Sequence, residues 1–443
     1  MSKNSFSAFC ISGTNSGCGK TTVSIALIAA LSQRGFKVAP FKCGPDYIDT
    51  SYLKEAAKAE AINLDTWMMG DEGVKSSFYR NSKHSDIAVL EGVMGLFDGA
   101  RVNSLEGSTA GCAKILGIPV ILVVNAGGSA GSIAALVSGF KNFSKDINVS
   151  GVIANNVGGS SHERIIHEAL KNHGLPPLLG TLPKNKNFAI PERHLGLKPF
   201  CENTKREEWF EMLAVTAEKN FDINRIIENS RLEKNEFKEN PYPKPSQKIA
   251  LARDEAFNFY YPDNIHHLRM AGFEFVEFSP LRDTRLPDGT DVVYIGGGFP
   301  EVFASQLADN CEIRRTIKDF AEAGGKIYAE CGGMMFLCRS LRNSQGIEFP
   351  MCGVLPAKTH MGDQKSALGY REVETIYPLP FCNAGTIIRG HEFHWSEISL
   401  ERELPSLYKC RDSKGNVWKT GISLGSVSAS YIHLSLTKEQ ISA

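Results

Sequence analysis

Residues 13–22, with the sequence GTNSGCGKTT, constrain the fold of this chain more than any other segment. They follow an apolar run over residues 8–12 and open a helical pattern near Gly19. A glycine-rich turn between a strand and a helix that ends in Gly-Lys-Thr is typical of a phosphate-binding loop. The backbone N–H groups of such a loop, and the N-terminus of the following helix, point at phosphate oxygens. The segment therefore predicts a P-loop at the carboxyl end of the first strand of an α/β sheet.

The P-loop gives individual side chains expected roles. Lys20 would contact the β- and γ-phosphates of a nucleotide, and Thr21 would bind Mg²⁺. The register is unusual, because Thr14 occupies the position that ordinarily holds the first glycine. The alternative is a glycine-rich turn without a ligand, which the flanking strand and helix disfavour. The residues expected to bind the nucleotide are Thr14, Asn15, Gly17, Gly19, Lys20, Thr21 and Thr22.

Acidic residues follow two further predicted strands, where a P-loop site needs a metal. Asp46 and Asp49 come after the second strand, whereas Glu91 ends the third and Asp98 follows it. Because ligands bind beyond the carboxyl ends of the strands in an open parallel sheet, these carboxylates are expected to converge on the phosphates. Mg²⁺ takes oxygen ligands, usually one or two carboxylates together with phosphate. We expect Thr21, Asp46 and Glu91 to hold the metal; the alternative for each acid is a solvated side chain or a helix cap.

The organisation of the chain predicts two α/β domains. Apolar runs alternate with helical patterns from Ser7 to about Pro183, which indicates a doubly wound parallel sheet covered on both faces. The stretch from there to about Gln247 is charged and proline-rich, so it is either a partly helical linker or an excursion of the first domain. The alternation restarts at Lys248, and residues 386–433 have an antiparallel character. The expected boundaries are 1–190 for the P-loop domain, 191–246 for the linker and 247–443 for the second domain.

Charge and cysteine content exclude several classes of function. Lys and Arg number 49, as do Asp and Glu, so the net charge of zero argues against a general nucleic-acid binder. The eleven cysteines include no C-x-x-C pair, which favours neither a disulfide framework nor a zinc site. No signal-peptide pattern opens the chain, and the apolar runs are too short to span a bilayer. We expect a reduced, cytoplasmic protein that binds small molecules, with a homodimer left open.

A second candidate site lies around Cys331. A predicted strand turns through Glu330-Cys-Gly-Gly into a helix, which resembles a nucleophile elbow. The helix N-terminus would favour the thiolate form of Cys331. His433, in the closing β segment, is the candidate base, and the glycines at 296–298 would present N–H groups to an oxyanion. The alternative for Cys331 is core packing, which is expected of most of the other cysteines.

Together these segments resemble the cobyrinate a,c-diamide synthase family of cobalamin biosynthesis, and the resemblance covers essentially the whole chain. It implies an N-terminal domain similar to dethiobiotin synthetase and a C-terminal class I glutamine amidotransferase domain of the cobyrinate/cobyric acid type. The segments that carry it are GTNSGCGKTT at 13–22, KCGPDYID at 42–49, EGVMGLFD at 91–98, ECGGMM at 330–335 and RGHEFHW at 389–395.

The resemblance implies two coupled reactions. ATP with Mg²⁺ would phosphorylate a carboxylate of cobyrinate, and Cys331, activated by His433, would release ammonia from glutamine to displace the phosphate. Ordinary class I glutaminases carry a glutamate two residues after the histidine, where this chain has Ser435, so the sequence leaves the orientation of His433 unexplained. The residues expected to contact the substrate are Asp49, Asp98, Arg389, His391 and His394.

Other functions stay open at this stage. The same chemistry could act on hydrogenobyrinate or nickel-sirohydrochlorin. Cobyric acid synthase, a relative with another substrate, is disfavoured because it lacks the segment found here at 42–49. A nucleotide-switched partitioning ATPase with an inert cysteine domain is disfavoured because Asn15 stands where those proteins carry an early loop lysine. The last alternative is a cysteine hydrolase in which the P-loop is only regulatory.

Overall fold

A computed structural model describes residues 5–190, 192–193, 196–197, 206–233, 237 and 240–442. These residues form two compact units, Met1–Glu239 and Asn240–Ala443. Much of the segment 191–205 and part of 234–239, which fall in the predicted linker, lie outside the described residues.

The first unit alternates strands and helices along most of its length. Its strands are β1 Ser5–Gly13, β2 Val38–Cys43, β3 Ile62–Leu64, β4 Ile87–Glu91, β5 Val120–Asn125, β6 Val149–Val157, β7 Leu178–Pro183, β8 Glu192–Arg193, β9 Gly196–Leu197 and β10 Arg231–Glu233. Its helices are α1 Lys20–Gln33, α2 Tyr47–Ala57, α3 Thr66–Ser82, α4 Thr109–Leu116, α5 Ser132–Phe143, α6 Ser160–Asn172, α7 Arg206–Asn220 and α8 Ile223–Asn229, with a 3₁₀ turn at Lys186–Phe188.

The main sheet of this unit is parallel, in the order β3-β2-β4-β1-β5-β6-β7, with β10 antiparallel to the start of β1. Successive side chains of β1 serve opposite faces: Phe9 and Ile11 join one core, whereas Ala8 and Cys10 join the other. The first core is completed by α1, α2, α7 and α8, and the second by α3 to α6. The predicted doubly wound fold is therefore confirmed, and α7 and α8 cover one of its faces.

The second unit contains many more strands than helices. Its strands are β11 Gln247–Ala252, β12 Phe257–Phe259, β13 Phe273–Phe278, β14 Val292–Ile295, β15 Gly297–Gly298, β16 Lys326–Glu330, β17 Cys338–Arg342, β18 Glu348–Pro350, β19 Leu355–Met361, β20 Ala367–Thr375, β21 Ile387–His394, β22 Ser396–Leu400, β23 Tyr408–Asp412, β24 Val417–Thr420, β25 Ile422–Leu424, β26 Val427–Ser430 and β27 His433–Ser435. Its helices are α9 Pro262–Met270, α10 Ala304–Asp309, α11 Cys311–Glu322 and α12 Gly332–Leu337, with a 3₁₀ turn at Lys438–Gln440.

The central sheet of the second unit has the order β13-β11-β14-β16-β26-β25, and it is parallel except for β25. A separate antiparallel sheet, β24-β23-β20-β21-β27, holds most of the region predicted to be antiparallel. The exception in that region is β26, which pairs in parallel with β16 and so brings the C-terminal segment beside the end of β16. Among the described residues, we find no helix with the length and apolarity needed to cross a membrane.

Candidate active sites

The P-loop leaves the buried strand β1 at Gly13 and enters α1 at Lys20. Gly19 caps the helix with φ of 103°, a left-handed conformation that glycine adopts without the strain of a side chain. A Cβ at this position would also lie 2.0 Å from the Asn155 amide nitrogen. That amide donates to the Cys18 carbonyl at 3.0 Å. The loop is therefore shaped by glycine and fixed against β6.

The side chains of the loop fold back over its own backbone. The Lys20 ammonium donates to the Asn15 carbonyl at 3.1 Å, and the Thr14 hydroxyl donates to the Asn15 amide oxygen at 2.8 Å. Lys20 is largely buried, and burial lowers the pKa of its ammonium. Gly17 and Thr22 complete the set of loop residues predicted to bind a nucleotide; the structure brings this set together.

Behind the loop, charged side chains from three elements meet. The Thr21 hydroxyl donates to Glu91 Oε1 at 2.7 Å and lies 3.5 Å from Asp49 Oδ2. The Lys42 ammonium donates to Asp49 Oδ2 at 2.5 Å, to Glu91 Oε1 at 2.9 Å and to the Gly92 carbonyl at 3.1 Å. Thr21, Asp49 and Glu91, which the sequence predicts as site residues, therefore lie together in the structure. Lys42, which the sequence did not indicate, connects the two carboxylates.

Lys42 is the functional candidate that the sequence reasoning missed in this unit. It lies in β2, of which every residue is buried, and its side chain is 3% exposed. Burial by itself would lower the pKa of Lys42, but the carboxylates of Asp49 and Glu91 outweigh it and raise that pKa. A lysine inside an otherwise apolar strand that runs toward acidic residues was the signal available in the sequence.

Glu91 is buried, and only one of its two oxygens is engaged. Its Oε2 atom has no hydrogen-bond partner in the part of the chain that the structure describes. Burial is the main cause that raises the pKa of Glu91 to about 7, with Asp49 adding to it and Lys42 opposing it. A buried carboxylate oxygen without a partner is uncommon and calls for an unseen ion or ligand. The pair of Thr21 and Glu91 oxygens therefore fits the donor set of Mg²⁺.

The other two acids of this region sit differently. Asp46 is the N-cap of α2, where its Oδ1 accepts from the backbone N–H groups of Ile48 and Asp49 at 2.8 and 3.0 Å. Burial, and then the charge of Asp49, raise the pKa of Asp46 to about 6. Asp98 is exposed, and its Oδ2 accepts from the Gly95 N–H at 2.8 Å in a turn beside the P-loop. Asp46 thus serves as a helix cap, while Asp98 lies at the rim of the loop.

In the second unit, Cys331 stands at the sharp turn from β16 into α12. Its backbone has φ of 46° and ψ of −106°, a strained conformation for a residue with a side chain. Its N–H donates to the Ser430 carbonyl of β26 at 2.7 Å, and the residue is 8% exposed. A Cβ on Gly333 would lie 2.2 Å from the Ile295 carbonyl, so only glycine lets the helix start this close to β14. The strained turn has the shape of the expected nucleophile elbow.

His433 lies against both Cys331 and the glycine segment at 296–298. A Cβ on Gly297 would lie 2.4 Å from His433 Cε1, so this glycine makes room for the ring. Burial alone would lower the pKa of His433, but its contacts with the Cys331 thiol and the Glu330 carboxylate raise that pKa to about 10. The ring is 2% exposed. The ring is therefore placed to take the proton of the Cys331 thiol.

Glu330 is the residue that the sequence reasoning missed at this site. It immediately precedes Cys331, is 1% exposed, and its Oε2 lies 3.7 Å from His433 Nδ1. At position 435, where an acid is expected in ordinary class I glutaminases, β27 carries a serine. The glutamate of the segment at 330–335 was visible in the sequence, but nothing local shows that its side chain faces a residue of β27.

The three predicted substrate contacts of β21 have separate surroundings. Arg389 Nε lies 3.3 Å from Glu372 Oε2 on the neighbouring strand. The His391 ring stacks on His433 with a centroid distance of 5.5 Å, and burial lowers the pKa of His391. His394 Nε2 lies 3.2 Å from Glu392 Oε1. His391 thus contacts His433 of the cysteine site, and the His394 ring stacks on Tyr431 with a centroid distance of 3.6 Å.

Comparison with known families divides the chain in the same way as its two units. Residues 9–197 match the CobQ/CobB/MinD/ParA nucleotide binding domain. Residues 248–441 match the CobB/CobQ-like glutamine amidotransferase domain. The P-loop and its acids lie within the first match, and Cys331 and His433 lie within the second.

Curated relatives extend the similarity to the whole chain. A cobyrinate a,c-diamide synthase of Caldanaerobacter subterraneus is 40% identical over 431 residues, covering 97% of this chain and 95% of the relative. Those of Leptospira interrogans and Salmonella typhimurium are 42% and 39% identical, each covering 96% of this chain and 94% of the relative. With similarity at this level from end to end, the chain belongs to the cobyrinate a,c-diamide synthase family.

Proposed function

We propose that this protein amidates the a and c carboxylates of cobyrinate in cobalamin biosynthesis, using ATP and either glutamine or ammonia. The observation that carries the proposal is a pair of prepared sites on one chain. One is a P-loop whose Thr21 hydroxyl is hydrogen-bonded to the buried Glu91, and the other is the strained Cys331 with His433 beside it. The end-to-end similarity to named synthases supports the choice of reaction. In this proposal the amidoligase domain spans residues 1–190 and the glutaminase domain spans 247–443. Within the segment 191–246, expected as a linker, α7 and α8 pack on the core of the amidoligase domain.

The first reaction makes a carboxylate reactive toward an amine. An oxygen of the substrate carboxylate attacks the γ-phosphorus of ATP, the bond to the β,γ-bridging oxygen breaks, and ADP leaves. The product is an acyl phosphate, in which phosphate is a far better leaving group than the original oxide. The backbone N–H groups of the loop and the Lys20 ammonium stabilise the charge on the phosphoryl oxygens. The loop residues Thr14, Asn15, Gly17, Gly19 and Thr22 hold the nucleotide in place.

Thr21 and Glu91 are the proposed holders of Mg²⁺, together with Asp46, whose cap of α2 uses only its Oδ1 atom. The unpartnered Glu91 Oε2 and the nearby Thr21 hydroxyl favour an ion between these residues and the phosphates. Mg²⁺ bound there would neutralise negative charge on the phosphate oxygens. Lys42 holds Asp49 and Glu91 close together in a dry interior, where the two carboxylates would otherwise repel each other. Thus Lys42 keeps the carboxylate pair aligned.

The second reaction releases ammonia from glutamine. The Cys331 thiolate attacks the side-chain amide carbon, and the developing oxyanion accepts hydrogen bonds from backbone N–H groups of the glycine segment at 296–298. Within that segment Gly297 and Gly298 are the candidate donors, because the Gly296 N–H already donates to the Tyr260 hydroxyl at 2.9 Å. His433 gives its proton to the leaving nitrogen, so ammonia departs and a thioester remains. Water then attacks the thioester with His433 as the base, which regenerates the thiol and forms glutamate. Ammonia displaces phosphate from the acyl phosphate and gives the amide.

Contacts with the macrocycle are part of the same proposal. Asp49 and Asp98 in the first unit, and Arg389, His391 and His394 in the second, are the candidate substrate residues. We further propose that the enzyme works in the cytoplasm on small molecules alone. A homodimer is the assembly to test, by light scattering of the purified protein.

One incubation tests the reaction and the identity of the macrocycle. The protein is mixed with ATP, Mg²⁺ and glutamine, and with cobyrinate, hydrogenobyrinate or nickel-sirohydrochlorin in separate tubes. Mass spectrometry is expected to find a diamide from cobyrinate, with ADP, phosphate and glutamate formed in step. If a diamide forms from hydrogenobyrinate or nickel-sirohydrochlorin but not from cobyrinate, that macrocycle is the substrate instead. ATP hydrolysis without any glutaminase activity would contradict the proposal and favour a nucleotide-switched ATPase.

A further inference from the structure

The cysteine site contains a buried acid directly before the nucleophile, whereas the position two residues after His433 carries Ser435. Glu330 lies next to Cys331 in the chain, and its Oε2 is 3.7 Å from His433 Nδ1. This is longer than a direct hydrogen bond and within the range of an ion pair. We propose that Glu330 positions His433 and stabilises its charged form, a role that rests on the proposed glutaminase function.

The carboxylate of Glu330 is itself held in one orientation. Its Oε1 accepts from the Tyr328 hydroxyl at 2.7 Å and from the Leu434 N–H at 3.0 Å. Its Oε2 accepts from the Tyr294 hydroxyl at 3.2 Å. A fully buried carboxylate is costly unless hydrogen bonds and an opposite charge compensate it. Three donors supply the hydrogen bonds, and the imidazolium of His433 supplies the charge.

The geometry decides which nitrogen of His433 serves the thiol. Because Nδ1 is the nitrogen nearest Glu330, Nε2 is left for Cys331. A carboxylate at Nδ1 keeps the proton on that nitrogen, so Nε2 can accept a proton from the thiol. Since Glu330 and Cys331 are consecutive, the end of β16 fixes the positions of both the acid and the nucleophile. The hydrogen bond from Leu434 ties the acid to the strand that carries the histidine.

Other groups around the ring do not take this role. Ser435, at the usual position of the acid, carries a hydroxyl and no charge. The titratable and charged groups that face His433 are Cys331, Glu330 and His391, with Tyr294, Tyr328 and Tyr408 around the carboxylate and Arg371 and Tyr261 near His391. Burial, His433 and Arg371 all lower the pKa of His391, so this ring stays neutral against the charged one.

The decisive variant is Glu330→Gln, which keeps the size of the side chain. The amide oxygen can still accept from Tyr328 and Leu434, but the amide group would donate to Nδ1 and favour the wrong tautomer. In serine proteases the equivalent aspartate-to-asparagine change costs about 10⁴-fold in kcat. We expect glutaminase kcat to fall at least about 10²-fold, with KM within about twofold and ammonia-dependent amidation unchanged.

Tyr328→Phe is the matched control, because it removes a donor from the same carboxylate and leaves the charge. It is expected to lower kcat less than about fivefold. Glu330→Asp keeps the charge on a shorter side chain and should retain at least about ten times the kcat of Glu330→Gln. Equal losses in Glu330→Gln, Glu330→Asp and Tyr328→Phe would overturn the proposal in favour of a purely structural carboxylate.

Alkylation by iodoacetamide reads the thiol directly. Mass spectrometry of the Cys331 peptide at pH 7 is expected to show modification at least about tenfold slower in Glu330→Gln, because a His433 ring in the wrong tautomer takes the proton of the attacking thiol less readily. The exposed Cys311 should react equally in both proteins. An unchanged rate at Cys331 would count against the proposal.

Two further results keep this inference separate from the proposed function. A wild-type protein without glutaminase activity would overturn the proposed function, whereas an active wild type with an equally active Glu330→Gln would overturn only the role of Glu330. Should Glu330→Gln fail to fold, ¹⁵N-histidine NMR of the wild type decides instead, with His433→Gln for assignment. An imidazolium or Nδ1–H form supports the proposal, and a neutral Nε2–H form contradicts it.

Discussion

Two buried glutamates occupy equivalent places in the two units and have opposite surroundings. Glu91 ends β4 in the first unit, and Glu330 ends β16 in the second. Each is at most 1% exposed, and each lies at the carboxyl end of a parallel strand. The Oε2 of Glu91 has no partner in the described residues, whereas both oxygens of Glu330 accept hydrogen bonds. Glu91 thus has an oxygen available for a ligand, whereas Glu330, with both oxygens engaged, is suited to hold the His433 side chain in place.

The largest expected effect separates the two units completely. Cys331→Ala removes the nucleophile, so glutamine-dependent amidation should fall at least about 10³-fold, while amidation with ammonium should stay within about twofold of wild type. The rates are measured as diamide formed with each nitrogen source. Cys311→Ala, on an exposed cysteine, is the control that should change neither rate. Loss of both activities in a folded Cys331→Ala protein would break the division of labour.

Glu91→Gln should produce the opposite pattern. Replacing the charged oxygen weakens the site for Mg²⁺, so amidation should drop at least about 10²-fold with either nitrogen source. Glutaminase activity measured without ATP should stay within about twofold, because the cysteine site is untouched. Glu72→Gln, in a helix surface pair, should leave both activities unchanged. An unimpaired Glu91→Gln would mean that the open oxygen binds nothing required for the reaction.

Lys42→Met sharpens the comparison through stability. It leaves Asp49 and Glu91 buried without their shared cation, so the free energy of unfolding should decrease by about 3–5 kcal/mol. Urea denaturation of the whole protein measures this free energy from the unfolding transition of the first unit. Lys54→Met breaks the surface pair with Glu60, in which both side chains are about half exposed, and should cost less than about 1 kcal/mol. If Lys42→Met and Lys54→Met lower the free energy of unfolding equally, the burial of Lys42, Asp49 and Glu91 does not strengthen their interaction.

The smallest expected effect concerns the charge of His433. Its ordinary pKa of 6.5 is raised to about 10 in the folded protein. Below pH 6.5 the ring is protonated in both states, but between pH 6.5 and 10 only the folded protein keeps the proton. Its stabilisation is therefore complete below 6.5 and is lost as the pH rises through 10. Wild type should lose about 1–3 kcal/mol more across this window than His433→Gln, measured by urea denaturation at several pH values. Parallel pH dependence in both proteins would contradict a charged ring.

Local sequence signals predicted the turns of both sites well. The glycines of the loop at 13–22 and the strand-to-helix turn at Cys331 act through residues adjacent in the chain. The buried strands likewise carry their own apolar pattern, so the doubly wound sheet could be predicted. Asp46 lies in the segment that the sequence assigns to this site, and its side chain caps α2, which is one of the two roles that a carboxylate at this position could take.

The partners of the buried charges could not be read from the sequence, because they depend on register between distant strands. Lys42 and Glu91 are direct neighbours across β2 and β4, although 49 positions separate them. Glu330 meets His433 only because β26 pairs in parallel with β16 and the chain then returns as β27. A shift of one residue in either pairing would turn these side chains to the other face.

The central claim is that ATP makes a carboxylate reactive toward nitrogen that Cys331 releases from glutamine. Double isotope labelling tests it most directly, with ¹⁸O in the carboxylates of cobyrinate and ¹⁵N in the amide of glutamine. The account predicts a diamide that contains ¹⁵N and released phosphate that contains ¹⁸O from the substrate. Phosphate without ¹⁸O, or amides formed without ¹⁵N when glutamine is the only nitrogen source, would contradict it.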